Sequence, residues 1–453
     1  MRYKINILVP STKSSVIPSL GYSGISAVLK QAFPEARISV VYLDSKKAPD
    51  ADVLIFNAYS AWGLIDLQRI FDDWGWNTPE KRHCKVILGG PGAYNPLPFV
   101  NLVDYISLSE ESLVNLISEL AKTKPKLWRH PDFIYAKTSY LLSIMPTQGC
   151  RHRCSFCELV VHYNFNFVYA PLSKIKKLLA RTKAKRIQVH AASILQYPHF
   201  VELCELLKKT KAQIFIGSMN LIEIDETKAL ALKSLNPRHT VGVENATNDS
   251  QGYFGLESGS PRILKLMRKP LTVPIAIERV RILKKCGFSK VGFYLILGYP
   301  SSTIKDFRRT ADLLNLFASI LGNKSIIRIK CTPFFPSLGT LDVDKPFRKV
   351  QDYTKEYYFL RKHTKRNIIF DISLPSYYLA TNILMKGTVK HHGLVEWFAQ
   401  AKVNDFETDK KMSSVLKQLQ LPTLKEHIRN PAPIDLSSKR SEYFNLQKLV
   451  KKL

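Results

Sequence analysis

The 453-residue sequence has no apolar run near the ~18 residues that a membrane-spanning helix needs. Its first ten residues carry two early charges and then Ile5-Asn-Ile-Leu-Val9, without the long apolar region or small-residue cleavage site of a secretory leader. Secreted, membrane-spanning and collagen-like classes are therefore not expected. Acidic residues are scarce: 37 Asp plus Glu stand against 67 Lys plus Arg, a net charge of +30. That imbalance predicts an anionic partner, whether nucleic acid, an anionic membrane surface or a phosphorylated ligand, and says little about fold. Cysteines are few, odd in number at seven and scattered, which argues for a reducing cytoplasm and not for a disulfide framework. What is present is apolar substance: 45% hydrophobic and 11% aromatic residues suffice for real cores and are too many for a disordered chain. At ~150 residues per domain, the length suggests about three domains.

The charge is unevenly placed. Residues 1–130 carry 15 basic and 12 acidic residues, residues 131–340 carry 31 and 13, and residues 341–453 carry 21 and 12. The first segment is near neutral, and the basic excess begins where the chemistry-bearing motifs begin. Two readings of it stand, solvated lysine-rich helix faces and a docking surface for a polyanionic substrate or partner.

Cys84, Cys204, Cys286 and Cys331 stand singly, mostly in apolar runs, as small buried hydrophobes do. The other three form C-x3-C-x2-C in Thr147-Gln-Gly-Cys-Arg-His-Arg-Cys-Ser-Phe-Cys157, directly after an apolar strand at Tyr140–Met145. A structural zinc site and an electron-transfer [4Fe–4S] cluster each want four protein ligands. Three thiolates within eight residues leave one iron of a cluster open to a substrate or cofactor. A zinc site with His152 as fourth ligand is the alternative, although His152 sits inside the loop among basic residues.

This cysteine loop, with Phe156 before its last cysteine, resembles the signature of the radical S-adenosylmethionine (SAM) superfamily, with Gln148 where arginine is common. Three further segments resemble the same superfamily in order. Phe254-Gly-Leu-Glu-Ser-Gly-Ser260, followed by Pro261–Lys269, is similar to its fourth-strand motif and the helix after it. Val291-Gly-Phe-Tyr-Leu-Ile-Leu-Gly-Tyr-Pro300 looks like the fifth strand, and Ile326–Lys330 with Thr332–Thr340 like the sixth strand and its loop. The pattern between them alternates: helices near 172–182, 200–209, 226–235, 275–286 and 303–321, and strands at 186–190, 213–217 and 291–297. Alternation of this kind means parallel strands with right-handed crossovers. The expected fold is α/β: an N-terminal Rossmann-like parallel sheet (1–130), a central partial (βα)6 radical SAM barrel (131–340) and a basic, mainly helical C-terminal domain (341–453).

The N-terminal segment has its own resemblance. Asn6–Pro10, Pro18-Ser-Leu-Gly21 and the helix to Lys30, Ile38–Leu43, Asp52–Phe56, Val86-Ile-Leu-Gly-Gly-Pro91 and Val103-Asp-Tyr-Ile106 are similar in order to the cobalamin-binding-type Rossmann domain that precedes many radical SAM barrels. It departs from that type in two places: no D-x-H-x-x-G supplies an axial histidine, and the usual G-E-G-E reads Leu108-Ser-Glu-Glu-Ser112. Two readings stand, a cobalamin site lacking the histidine and a Rossmann unit that only packs on the barrel and shapes its entrance.

The resemblance implies a [4Fe–4S] cluster on Cys150, Cys154 and Cys157, with SAM chelating the open iron and cleaved reductively to a 5′-deoxyadenosyl radical that abstracts hydrogen from the substrate. By their positions at the strand ends, Phe156, Ser193, Asn220, Glu257, Ser258, Gly298 and Arg328 are candidates for cofactor binding, although His190-Ala-Ala-Ser193 departs from the Gly-Gly-Glu-like turn that binds the SAM amino group in the superfamily; Tyr294 and Cys331 are candidate pocket residues for the reaction, Cys331 as a hydrogen donor. Arg328 and Lys330 alternate onto one face of strand six, directed either at an anionic group in the barrel or at solvent. The C-terminal region carries no catalytic motif. Its aromatic stretch Tyr353–Lys362 reads as a packed helix face or a base-stacking platform, His391-His392 only superficially as a metal site, and the tail from Pro431 as an arm on an anionic surface.

The leading functional expectation is modification of a DNA or RNA base, or of a group attached to it, by hydrogen abstraction with rearrangement or group transfer. The runner-up is a cobalamin-dependent methylase acting on a small molecule or peptide. A methylthiotransferase needs a second cluster, for which the other cysteines are too dispersed, and a non-catalytic binding protein would not need the matched strand ends. An electron donor such as flavodoxin or ferredoxin is implied, and no membrane partner. Anaerobically reconstituted protein is expected to be brown and to release 5′-deoxyadenosine from SAM once reduced; a colourless, inert protein would sink both enzyme readings.

Overall fold

The computed structural model describes residues 3–9, 20–42, 44–58, 60, 63–76, 78–138, 140–159, 166–235, 253–402 and 405–452. Pro10, Pro18, Ser19, Leu43 and Leu453, named above, lie outside them. The chain divides into two compact units, Met1–Pro131 with Pro336–Phe347 and Ser376–Leu453, and Asp132–Phe335 with Arg348–Pro375. Residues 341–453, set apart in the sequence reading, are thus shared between the two. Among the described residues no helix is long and apolar enough to cross a membrane.

The first unit is built on five parallel strands: β1 (Lys4–Val9), β2 (Arg37–Tyr42), β3 (Val53–Asn57), β4 (Lys85–Gly89) and β5 (Tyr105–Ser107). Their order is β5-β4-β3-β1-β2. β1 and β3 are apolar along nearly their whole length and buried, as strands covered on both faces must be, whereas the edge strand β2 is half-exposed. The helix Glu110–Ala121 starts where Ser109 accepts a hydrogen bond from the Ser112 N–H, with Glu110 and Glu111 in its first turn complementing the helix dipole. This explains the departed Leu108–Ser112 segment locally: it is a capping box.

The tail does not extend as an arm. Tyr443–Asn445 pairs antiparallel with β5, covering that edge of the sheet, and runs into the short helix Leu446–Val450. The sequence missed this because three residues carry no legible strand period.

His391 also has a structural place. It is buried, and its Nδ1 accepts from the Thr388 N–H at 2.9 Å, so its proton lies on Nε2, 2.7 Å from Nε2 of the equally buried His427. His427 in turn donates from Nδ1 to the Thr423 carbonyl at 3.0 Å. Each ring is thereby fixed as a neutral tautomer. His392 instead faces the Pro98 carbonyl and Glu396.

The second unit is the barrel. One sheet runs β11-β10-β7-β6 and the other β12-β13-β14-β15-β16. The members are β6 (Ile134–Lys137), β7 (Leu141–Met145), β10 (Arg186–Val189), β11 (Gln213–Ile216), β12 (Met219–Asn220), β13 (Phe254–Glu257), β14 (Lys290–Leu297), β15 (Ile326–Pro333) and β16 (Ile368–Ile372). All pairings are parallel except β6 with β7, and a separate hairpin joins β8 (Thr147–Gly149) to β9 (Phe167–Tyr169). The expected helices are present at Leu172–Ala180, Phe200–Lys209, Glu226–Leu235, Val273–Lys285 and Ile304–Leu321. β16 and the helix Val350–His363 complete this unit from what the sequence reading assigned to the C-terminal domain. The Tyr353–Lys362 stretch is that helix, with Tyr353, Glu356 and Leu360 on its buried side.

The His391–His427 pair sets a pH dependence. Burial first, and then His427, holds the His391 pKa down at about 4, and burial lowers that of His427 as well. The unfolded chain takes up these protons near pH 6.5, before the folded unit does, so the pair's stabilisation is present above ~6.5 and lost as the pH falls toward 4. Denaturant unfolding of the first unit should show stability falling over pH 6.5–4.5, and His391→Phe should flatten that slope; an unchanged slope would refute the assignment.

Candidate active site

The cysteine loop is folded by short-range geometry. Gly149 ends β8 at φ +79°, and a Cβ there would stand 1.8 Å from the Asn166 carbonyl oxygen, so only glycine lets the hairpin close. Beyond it the loop is tied down at both ends. The Arg151 N–H donates to Gln196 Oε1 at 3.0 Å, and the Ser155 N–H to the Met267 carbonyl at 2.9 Å. None of the three cysteines is in a disulfide, and all are partly buried.

Cys150 Sγ is approached by three donors: the His152 N–H at 3.4 Å, Gln196 Nε2 at 3.5 Å and Asn220 Nδ2 at 4.0 Å. Behind them stands Glu223, which accepts from His152 Nε2 at 2.6 Å, Ser193 Oγ at 2.5 Å and Gln196 Nε2 at 2.5 Å. Burial works to raise its pKa, but these three donors outweigh it and keep the carboxyl ionised.

A second set of contacts reaches the loop from β13. Lys269 is buried, and its Nζ donates to Glu257 Oε1 at 2.9 Å and to Asn220 Oδ1 at 3.1 Å. Burial pulls the Lys269 pKa down, but Glu257, Cys154 and Cys157 together push it above the ordinary lysine value. Cys154 is pushed up to about 12 by burial, against the pull of Lys269. Glu257 reaches its partner from a left-handed backbone, φ +64°, at a bulge in the β13–β14 pairing. Gly255 is required beside it, since a Cβ would lie 2.7 Å from Glu257 Oε1 and 2.8 Å from Lys269 Nζ. A non-glycine residue held in this region is a common mark of a functional site.

Among the described residues, no three His, Cys, Asp or Glu side chains stand around a single ion. A [4Fe–4S] cluster takes its cysteines on separate irons and asks for a wider spacing. Three thiols outside any disulfide on one loop, N–H groups directed at a sulfur and a neighbouring ammonium are the donor set such a cluster needs, so the residues fit it.

Each residue expected from the sequence has a definite position. Phe156 packs on Ile263, Met267, Tyr299 and Phe334, with Ile296 beside them. Ser193 is fully buried, its hydroxyl committed to Glu223 and to the Asn220 N–H. Ser258 is buried, and its Oγ accepts the Ser260 N–H. Gly298 turns out of β14 at φ +68°, its N–H donating to Glu356 Oε2 at 2.7 Å, with the Tyr353 ring 2.2 Å from where a Cβ would be. Burial raises Glu356 to about 8. On β15, Ile327, Ile329 and Cys331 form the fully buried face, and Arg328 and Lys330 the half-buried one. Arg328 Nε is buried without a hydrogen-bond partner, and Arg328 acts electrostatically on Tyr253, whose ring lies 5.1 Å from that of Tyr294. Cys331 is completely buried, and burial drives its thiol pKa well up.

A cavity of about 380 Å³ opens at the C-terminal ends of β7, β10 and β11. Tyr294 lines it; the three cysteines, Glu257 and Cys331 do not. Gln196, Glu223 and Lys269 were missed as site residues. Lys269 lies inside a recognised motif, but nothing in its sequence neighbourhood signals that it is buried, and Glu223 contacts residues 27 to 71 positions away.

Residues 144–314 match the model of the Radical SAM superfamily. Over 318 residues the chain is 26% identical to a putative methylthiotransferase of Methanocaldococcus jannaschii, covering 60% of this chain and 67% of that one. Over 265 residues it is 25% identical to the threonylcarbamoyladenosine tRNA methylthiotransferase MtaB of Aquifex aeolicus, covering 52% and 62%. In fold it is similar to the cobalamin-dependent SAM radical enzyme OxsB, solved with aqua-cobalamin and SAM bound. The TM-score is 0.51 at 12% identity, covering 97% of this chain and 65% of that one. The chain spans about half the length of several curated relatives it matches. The cysteine loop and most of the parallel barrel strands thus lie in a segment, residues 144–314, that matches the Radical SAM superfamily, a class of enzymes that use a [4Fe–4S] cluster and SAM.

Lys269→Met leaves the Glu257 carboxylate buried without its counter-charge, at a cost of about 3–5 kcal/mol to the barrel unit. In chemical unfolding, Lys269→Met with Glu257→Gln should recover most of that loss, yet the double variant should still retain less iron after reconstitution than wild type. Full iron content in the double variant would show that Lys269 does not support the thiolates.

Proposed function

We propose that this enzyme modifies a base of a nucleic acid, or a group attached to that base. The supporting observation is a division of charge. Residues 131–453 carry 52 basic and 25 acidic residues, while among the described residues no Asp, Glu, Lys or Arg lines the cavity at the barrel strand ends. A neutral reacting group on a polyanionic carrier satisfies both halves: the surface holds phosphates, and the cavity takes an uncharged head. The likeness to a tRNA-modifying relative favours the same carrier.

When bound, the cluster and SAM supply a 5′-deoxyadenosyl radical able to take hydrogen from an unactivated C–H bond. The chain's own residues do the positioning. Cys150, Cys154 and Cys157 would hold the cluster, while Gln196, Asn220 and the His152 N–H would stabilise thiolate charge at Cys150. Phe156 and its apolar neighbours keep water from one flank. The Gly298 turn, fixed by Glu356 and Tyr353, leaves the end of β14 free of a side chain.

A second reading, cobalamin-dependent methyl transfer to a small molecule or peptide, is favoured by the OxsB-like fold across 97% of the chain. Against it, the glycines after β4 are filled by the protein itself: a Cβ on Gly90 would meet Asn57 Oδ1 at 2.2 Å, and one on Gly92 the Ser60 carbonyl oxygen at 2.7 Å.

Incubation of the reduced enzyme and SAM with candidate RNAs and DNAs, followed by mass analysis of digested nucleosides, tests the proposal. A mass-shifted nucleoside is expected, with retention on nucleic acid that falls steeply with salt. Absence of both at low salt, or near-stoichiometric cobalamin with methylation of a small substrate, would replace it by the second reading.

A further inference from the structure

The cysteine loop meets solvent through its cations. Arg151 and Arg153 are exposed, while Cys150, Cys154 and Cys157 around them are partly buried. The Arg151 guanidinium lies 4.7 Å from the centroid of the Phe167 ring on β9. The loop rests on the end of the helix Pro261–Leu266. There the Ser155 N–H donates to the Met267 carbonyl at 2.9 Å and the Ser155 hydroxyl to the Leu266 carbonyl at 3.4 Å. This helix end adds exposed Lys265 and Arg268, with the exposed Leu266 between them. Arg262 is tied to Asp306, but neither Lys265 nor Arg268 makes an ion pair among the described residues. No acidic residue occurs in either segment, 150–157 or 261–269.

The backbone singles out Arg268. The Lys269 N–H bonds the Leu264 carbonyl at 3.0 Å and the Arg268 N–H the Lys265 carbonyl at 3.1 Å, a crossed pair that ends the helix with Arg268 left-handed at φ +50°. Such an end favours glycine, because a Cβ is strained there. A long cationic side chain kept at that cost points to a use for it. The next residue, Lys269, acts electrostatically on Cys154 and Cys157, so this helix end stands directly against the thiols.

Reductive cleavage of SAM takes one electron, which the cluster must receive from outside. Tunnelling falls off steeply with distance, so the carrier has to stand on the outer side of the cysteine loop. Cations around one apolar side chain, without acidic residues between them, suit a protein with an acidic surface: charge steers the encounter, and the leucine excludes water at its centre. Redox encounters bury little area, and a patch of this size supplies it. A nucleic acid asks instead for cations spaced along a track of phosphates.

We infer that Arg151, Arg153, Lys265 and Arg268, around Leu266, form the docking surface for an acidic electron-carrier protein. One electron passes from the carrier's reduced flavin or iron–sulfur centre to the cluster on Cys150, Cys154 and Cys157. The carrier is oxidised by one electron, the cluster is reduced by one, and no bond is made or broken. The inference requires the cluster and is independent of which molecule the enzyme modifies.

The test is stopped-flow reduction of the anaerobically reconstituted enzyme by an acidic flavodoxin hydroquinone or a reduced acidic ferredoxin. Photoreduced deazariboflavin, a small uncharged reductant, serves as the reference that needs no docking. At least one carrier should reduce wild type at a rate that falls steeply with salt. Lys265→Glu with Arg268→Glu should slow that carrier by about tenfold or more at low salt, with iron content and the deazariboflavin rate unchanged. Lys208→Glu with Lys209→Glu, exposed at the end of the helix Phe200–Lys209, should change little. Arg268→Gly carries the test if the double variant folds poorly, since it should raise the unfolding midpoint and still slow the carrier. The inference is overturned if neither carrier reduces wild type while deazariboflavin does, or if both charge-reversed pairs slow the carrier equally. It is also overturned if reversal at Lys265 and Arg268 spares the carrier rate and abolishes retention on RNA, which would make the patch a nucleic-acid face. Failure of deazariboflavin to reduce any cluster would overturn the cluster assignment as well.

Discussion

One buried ammonium constrains the whole catalytic end of the barrel. Removing the charge of Lys269 from water costs several kcal/mol unless it is paired and hydrogen-bonded. The pairing is met by Glu257 and Asn220, with the sulfurs of Cys154 and Cys157 within electrostatic reach. To deliver its carboxylate, Glu257 occupies a left-handed conformation, and Gly255 must lack a Cβ. Asn220 then links the same ammonium to Cys150, and through its N–H to Ser193 and Glu223. The ends of three strands and the cysteine loop are therefore one polar assembly, in which a change at any member leaves a charge or donor unsatisfied.

The opposite flank is fixed by a different device. Gly298 leaves β14 with its N–H on Glu356 and the Tyr353 ring in the space of its missing side chain. Burial raises Glu356 toward neutrality, so that flank needs no cation to balance it. The helix that carries both residues belongs physically to the barrel unit, although it lies beyond the last barrel motif in sequence. Charge compensation thus holds Glu257 and Lys269 in place, and steric filling holds the Gly298 turn.

Much of this was legible in the residue order. The alternation of helix and strand from 172 to 321 located the barrel elements, because period and turn chemistry are local properties. The Cys150–Cys157 spacing identified its own chemistry, because three thiolates on one short loop have few uses. The motif glycines at 255 and 298 were visible as glycines, though not what fills the space beside them. Arg328 and Lys330 were placed on one face of a strand, but whether that face meets water depends on which side the helices cover.

The sequence by itself determined the alternating architecture and the three-cysteine loop within the segment that matches the Radical SAM superfamily, since each follows from spacing along a few residues. Tertiary structure alone decided that Lys269 is buried, that Gln196 and Glu223 stand behind Cys150, and that the C-terminal strand closes the edge of the first sheet. It also decided that the cysteine loop rests, at Ser155, on Leu266, 111 positions along the chain. The physical reason is that burial and pairing are properties of packing: a residue's cost of desolvation is set by neighbours brought to it from across the chain, and no local pattern records them.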